Sequence, residues 1–196
     1  MCPRTKEQND VIRETRRLQI LNAAAEVYIA KGIVLEMRDV AVHAGLGYGT
    51  VYHYYQNKHQ LLDDLLSGAF DRAIELTGSV LLGADSRSSE EKLRKWCKSL
   101  LNMWLDDPSV YILYKMAAER FHQISGERIA ALQERFRNEL YRPIAETAAA
   151  CTDSRDPDQI ANLLIGSLIG CAGLYIHHRQ SGMDAEYVAD ALMAGL

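Results

Sequence analysis

Between Gly47 and Lys58 the chain concentrates hydrogen-bonding side chains in one short run, Gly47-Tyr48-Gly49-Thr50-Val51-Tyr52-His53-Tyr54-Tyr55-Gln56-Asn57-Lys58. On a helix Thr50, His53 and Tyr54 fall at i, i+3 and i+4 and share one face. Val51 and Tyr55, four apart, share another and can turn inward. A short helix of this kind can lay donors and acceptors against base edges and phosphate oxygens. Gly47 and Gly49 leave its N-terminus bare, so free N–H groups can approach an anion. The chemistry implied is non-covalent recognition of a polyanion. Catalytic constellations are missing by comparison. His177 and His178 are adjacent, so a helix turns them apart. The pairs Asp63-Asp64, Glu90-Glu91 and Asp106-Asp107 sit near expected helix ends, where solvated or dipole-pairing carboxylates are ordinary. No H-x-x-x-H, G-x-S-x-G or phosphate-cradling loop occurs. No catalytic residue, metal site or cofactor is therefore expected. A helical enzyme or an adaptor protein are the competing classes, and an adaptor would not need the polar face of residues 48–54.

The elements around this run are helical throughout, and no alternating strand pattern interrupts them. A helix is expected from about Val11 to Lys31, with Leu21, Ala24, Ala25 and Tyr28 inward and Gly32 at its end. A short helix over Met37–Ala44 is broken by Gly45-Leu46-Gly47, and a second covers Tyr48–Tyr54. Asn57 and Gln60 then cap a long helix over Lys58–Leu82. Two short helices joined by a glycine turn and backed by longer ones make a helix-turn-helix. Charge agrees in sign. Residues 1–60 carry net +2 and residues 61–196 net −6, within a chain of −4.

These residues resemble the TetR family of transcriptional regulators over about residues 13–65. The first part of the motif is Arg17, Ile20, Leu21, Ala23, Ala24, Tyr28 and Gly32. The second is Val40-Ala41, Ala44-Gly45, Gly49-Thr50-Val51-Tyr52, Tyr55, Lys58 and Leu61-Leu62. Four departures stand out. Glu36 and Met37 replace the usual Ser or Thr at the first motif helix, and Gly47 does so at the second. His59 replaces an acidic residue, and the loop after Gly32 is one residue short. The resemblance implies an all-α protein in which an N-terminal three-helix helix-turn-helix domain (1–56) precedes a larger ligand-binding and dimerisation bundle (57–196). It also implies that Tyr52 and Lys58 grip phosphates and that Arg38 occupies a position able to read a base. Tyr48, Gly49, Thr50, His53 and Tyr54 complete the expected DNA contacts. The partner would be double-stranded operator DNA.

The remaining two-thirds reads as nine helices in all when joined to the first third. Ser88 and Glu91 form a capping box ahead of a stripe of Leu93, Trp96, Cys97, Leu100, Leu101 and Trp104. Asp107-Pro108 and Asp156-Pro157 each read as a cap followed by proline at the first helical position. Ser125-Gly126-Glu127 should open a helix that Pro143 kinks or divides. Trp96, Met103, Trp104, Tyr111, Tyr114, Phe121 and Tyr175 could line a pocket for a small apolar or aromatic effector, which the family resemblance also implies. His122 is a weaker candidate to orient it. Gly166, Gly170 and Gly173 fall at i, i+4 and i+7 on a face that permits close approach, expected here as a homodimer interface. The uncharged run from Ile160 to Ile176 is read as a buried helix rather than a membrane span. Widely spaced Cys2, Cys97, Cys151 and Cys171 suggest reduced thiols, and with no leader in the polar first ten residues a cytoplasmic protein is expected.

Overall fold

The computed structural model of the protein describes residues 5–84, 86–122, 124, 128–151, 156–178 and 182–195. All regular structure among them is helical: α1 (Lys6–Lys31), α2 (Met37–His43), α3 (Tyr48–Tyr54), α4 (Lys58–Leu81), α5 (Ser89–Asp106), α6 (Pro108–Ala118), α7 (Arg128–Phe136), α8 (Arg142–Ala149), α9 (Pro157–His178) and α10 (Ala185–Ala194). A 3-10 turn, Gly32–Val34, follows α1, and a π-helical turn, Arg137–Tyr141, joins α7 to α8. The chain forms two compact units, Met1–Ser67 and Gly68–Leu196. The division falls inside α4, whose first turns bury Leu61, Leu62, Leu65 and Leu66.

In the first unit, α1 begins at Lys6 rather than near Val11. Thr5 caps it: its Oγ1 accepts from Gln8 N at 3.3 Å, and Gln8 Oε1 accepts from Thr5 N at 3.1 Å. This reciprocal box satisfies two of the helix's orphan donors. The inward stripe is as expected, with Ile20, Leu21, Ala24, Ala25 and Tyr28 buried. At the end of α2 the chain reverses through Gly45, φ 64°. Leu46 N bonds Ala41 O at 2.9 Å and Gly45 N bonds Val42 O at 3.1 Å, the paired closure of a Schellman turn. Gly45 is needed because a Cβ in this left-handed region crowds the carbonyl oxygen. Gly47 then caps α3 in extended conformation, and the bend is complete within a few residues.

In the second unit the α5 stripe is wholly inaccessible: Leu93, Trp96, Cys97, Leu100, Leu101 and Trp104 have no exposed area. Burial of each of these leucines contributes about 1.5–3 kcal/mol. Polar groups fix α4 against this core. Trp96 Nε1 donates to Thr77 Oγ1 at 3.2 Å. Arg72 donates to Asp107 Oδ2 at 2.5 Å and to Ser109 Oγ at 2.8 Å. Asp107 caps α6 as expected, its other oxygen accepting from Ser109 N. α10 packs against α5, with Lys98–Glu186 at 2.7 Å and Arg94–Asp190 at 3.3 Å at the edge.

Two expectations about helices meet the structure here. The helix is divided next to Pro143, into α7 and α8. The segment continues from α7 to α8 through the π turn, with Arg142 N bonded to Arg137 O. A proline ring clashes with the carbonyl four residues back in a regular helix, and here that residue, Glu139, lies in the wider turn. The expected opening of this helix at Ser125-Gly126-Glu127 lies outside the described residues. Second, α9 is not a buried helix all round. Residues Pro157–His177 are long and apolar enough to cross a membrane by length and composition, yet 39% of the most apolar window is buried. Ile160, Ala161, Leu164, Ile165, Leu168 and Ala172 face the bundle. Leu163 and Leu174 are more than half exposed on the other side.

Candidate nucleic-acid interface

α3 separates its faces as the residue types require. Val51 is fully buried and Tyr55, just past the helix, is 5% exposed. Tyr48, Gly49, Thr50, Tyr52 and His53 are exposed, and Tyr54 is half-buried. Thr50, His53 and Tyr54 thus lie on a side free to meet a ligand. The Tyr48 and Tyr52 rings pack at 4.5 Å, one helical turn apart, and the Arg38 guanidinium lies 6.0 Å from the Tyr48 ring centre. Hydrogen bonding to Tyr52 pushes the Tyr48 phenol up from its ordinary value. Arg38, Tyr48 and Tyr52 therefore form one exposed cluster across α2 and α3. The His53 and Tyr54 rings meet edge to face at 5.8 Å. Gly49 has open space where a Cβ would stand.

Behind this surface, α3 is anchored by a polar group that residue spacing alone did not reveal. Tyr55 Oη donates to Asp64 Oδ2 at 2.5 Å, and Arg17 Nη1 donates to the same oxygen at 2.6 Å. Asp64 is therefore not an ordinary solvated carboxylate near a helix end. It joins α1, α4 and the end of α3 at one atom. Burial, then the bond to Asp64, pushes the Tyr55 phenol well above its ordinary value. Bonds to Glu14 and Asp64 likewise push the Arg17 guanidinium above its ordinary value. The signal was present in the motif, since Arg17 and Tyr55 both belong to it, but their shared partner was not.

Lys58 is half-buried at the start of α4, and its Nζ donates to Ile33 O in the 3-10 turn at 2.9 Å. One of three ammonium donors is thus occupied, and two remain. Glu36, which stands where a hydroxyl residue is usual, lies at the start of α2. Its backbone N–H is accepted by Asp39 Oδ2 at 3.0 Å. Lys31 bonds the other oxygen of Asp39 at 2.7 Å and holds that carboxyl below its ordinary range. His43 meets Glu26 at 2.5 Å.

In the second unit the candidate effector residues occupy different places. Trp96, Trp104, Tyr111, Tyr114 and Phe121 are buried, and Met103 and Tyr175 are half-buried. Trp104 packs on Tyr111 and Tyr114 at 5.7 and 5.2 Å, and Tyr114 on Phe136 at 5.4 Å. Among the described residues Trp104 Nε1 has no hydrogen-bond partner, and the Tyr114 hydroxyl lies near Thr77 outside bonding geometry. A cavity of about 770 Å³ opens alongside, bordered by the turn after α6, α7, the π turn, α8 and α9. Phe121 is the candidate that borders it. Gly166 and Gly170 are exposed on α9, whereas a Cβ on Gly173 would stand 2.7 Å from the Tyr111 hydroxyl. His122 is exposed. Burial pushes the Cys97 thiol up to about 12, as a core residue requires, while Cys171 is half-buried.

Residues 20–65 match the family of bacterial regulatory proteins described as the tetR family. The chain is 29% identical over 118 residues to the HTH-type transcriptional repressor KstR2 of Rhodococcus jostii, covering 56% of each chain. It is 34% identical over 58 residues to KstR2 of Mycobacterium tuberculosis, covering 29% of each. The chain thus spans about half the length of the first relative, and less of the second. The fold extends further than these alignments. The structure of the Mycobacterium tuberculosis ketosteroid transcriptional regulator KstR2 has a TM-score of 0.76 at 17% identity, covering 92% of this chain and 94% of that one. The structure of AibR in complex with isovaleryl coenzyme A and operator DNA has a TM-score of 0.72 at 21% identity, covering 92% and 97%. The helix-turn-helix unit is thus the part of the chain that matches the tetR family of bacterial regulatory proteins, and the fold of such regulators extends over the rest.

Proposed function

We propose that this protein is a ligand-responsive DNA-binding transcriptional regulator, a repressor that a small hydrophobic or aromatic effector releases from a palindromic operator. The observation that carries the reading is the exposed polar face of α3 on a unit locked by Arg17, Asp64 and Tyr55. A reader must present its side chains without rearrangement, and this network removes the freedom of α3 to turn. Tyr52 and Lys58 position the reader on phosphates. Arg38, Tyr48, Thr50, His53 and Tyr54 meet bases or sugars, and Gly49 lets the backbone approach. The named relatives are repressors, and the AibR structure holds operator DNA, which favours the same role here.

A single three-helix reader makes few base contacts, so the working form is a homodimer on two half-sites. α4 contributes residues to both compact units. An effector bound among the helices of the second unit therefore has a continuous element through which to alter the first. It can shift the equilibrium only as far as it prefers the non-binding form. No catalytic step is assigned to the protein, and its place is the cytoplasm, beside the DNA. Fluorescence anisotropy on DNA from upstream of its own coding region tests the reading. Binding at least about a hundredfold tighter than to unrelated DNA is expected. Equal affinity for both sequences would defeat it.

A further inference from the structure

The cavity of the second unit has a lining of mixed character. Its walls are mostly aliphatic and aromatic, with Phe121, Phe136, Ala145, Ile165 and Ile169 among them. At its edge stand three guanidinium groups, Arg120, Arg137 and Arg142, all exposed, against a single lining carboxylate, Asp158. No ion pair joins these arginines to a described carboxylate, and Arg142 spends one donor on Asn138 at 3.0 Å. A guanidinium stays charged at any physiological pH and forks onto carboxylate or phosphate oxygens. At about 770 Å³ the space is of the size that binds small molecules.

Two departures from regular backbone flank this one cavity. Arg120 and Phe121 both take left-handed conformations, φ 56° and 53°, which side-chain-bearing residues avoid. The turn is held by Phe121 N to Met116 O at 2.7 Å and by Gln133 Nε2 to Arg120 O at 2.9 Å. It sends one residue to the rim and seals the next, 1% exposed, into the wall. Across the cavity the π turn supplies Arg137 and Tyr141, and Tyr141 Oη bonds Asn162 Oδ1 and Asp158 O at 3.1 Å each. Both irregularities place a cation beside apolar surface. Such strain concentrates where a ligand is held.

We propose that this cavity takes an amphipathic anion, with an acyl chain on the apolar walls and a carboxylate or phosphate group on Arg120, Arg137 and Arg142. This deepens the effector reading above and rests on it. It moves the ligand away from Trp96 and Trp104, which serve as filled core.

The test is isothermal titration of the full-length protein with octanoate, octanoyl-coenzyme A, free coenzyme A and 1-octanol. At least one of the two acyl anions should bind about tenfold or more tighter than 1-octanol, and which one does so identifies carboxylate or phosphate as the anchor. Arg137→Ala/Arg142→Ala, both at exposed positions, should weaken that anion about tenfold and 1-octanol less than threefold. Ala118→Trp, at an exposed lining position, should weaken both by occupying the space. Equal binding of the anions and 1-octanol, binding of none of the probes, or an anion affinity unchanged in the double variant would each overturn the proposal. Tighter binding of free coenzyme A than of its octanoyl thioester would overturn the acyl assignment. If the acyl anion binds as described but leaves DNA affinity unchanged, the cavity assignment stands and effector control of DNA binding fails.

Discussion

Lys58 has one claim on its ammonium group in the structure, the Ile33 carbonyl, and a second in the proposed function, a phosphate outside the unit. The first claim orients the side chain and leaves two donors for the second. Lys58→Ala should therefore weaken binding to every DNA sequence and lower the slope of log affinity against log salt by about one unit. Unchanged affinity and slope in a folded variant would remove the phosphate role. Tyr52→Phe should weaken binding without changing sequence preference, whereas His53→Ala or Tyr54→Ala should change the preference. Tyr55 belongs to another class, because its hydroxyl is spent on Asp64. Tyr55→Phe should cost about 1.5–3 kcal/mol of stability, the worth of a hydrogen bond to a charged group, read from denaturant unfolding. Burial also keeps this phenol and that of Tyr114 neutral above the ordinary tyrosine value. A folded value raised in this way contributes stability that is complete below the unfolded value, about 10, and is lost as pH rises through the folded one. An ultraviolet titration should show these two phenols ionising only as the protein unfolds. Ionisation of all tyrosines near pH 10 in the folded protein would contradict it.

At the scale of elements, the turn between α2 and α3 depends on one backbone conformation. Gly45→Ala should destabilise the protein by about 1–2 kcal/mol, because a Cβ in the left-handed region meets the following carbonyl oxygen. Gly49→Ala carries no such strain, since Gly49 lies in α3 outside the left-handed region that Gly45 occupies. Its effect should be confined to DNA affinity. Thermal melts of the two variants, compared with their binding curves, separate the roles. An equal loss of stability in both would show that the turn does not need glycine. Helix starts carry their own pH dependence. Ser88, through its backbone N–H and its hydroxyl, holds the Glu91 carboxyl below its ordinary range. That contribution is present above the unfolded carboxylate value and is lost as pH falls through the lowered folded one. Glu91→Gln should flatten the acid limb of a stability titration below about pH 4.5. An unaltered acid limb would show that the cap does not contribute.

For the whole molecule, the exposed side of α9 is the surface proposed for assembly. Leu163, Gly166, Gly170 and Leu174 stand at i, i+3, i+7 and i+11 and form a solvent-facing strip of leucine and glycine. Buried against a second copy, this strip would complete the dimer that a palindromic operator requires. Gly173 lies aside from it, where the Tyr111 hydroxyl already explains the missing side chain. Leu174→Arg should yield a folded monomer by light scattering at micromolar concentration, with operator affinity reduced at least about a hundredfold. A monomeric wild-type protein would rule out the dimer. A dimeric Leu174→Arg protein would place the interface elsewhere.

Periodicity and caps alone determined much of this protein. The inward stripe of α1, the capping boxes and prolines that start α5, α6 and α9, the glycine break at Gly45 and the two-faced α3 are all local. Each depends on residues within about a turn of one another, so spacing suffices to read it. The start of α1 was equally local, in Thr5 and Gln8, but a polar stretch concealed it. What depended on distant partners was decided by the tertiary structure. Asp64 reads as one acidic residue among many until Arg17, 47 positions away, and Tyr55 converge on one of its oxygens. Aromatic residues suit both a filled core and a pocket wall. Only packing assigned Trp96 and Trp104 to inaccessible positions and left the open space beside Phe121, Arg137 and Arg142. An uncharged stretch such as α9 carries no record of which side meets its neighbours. That depends on the helices packed against it, and their approach left Leu163 and Leu174 in solvent.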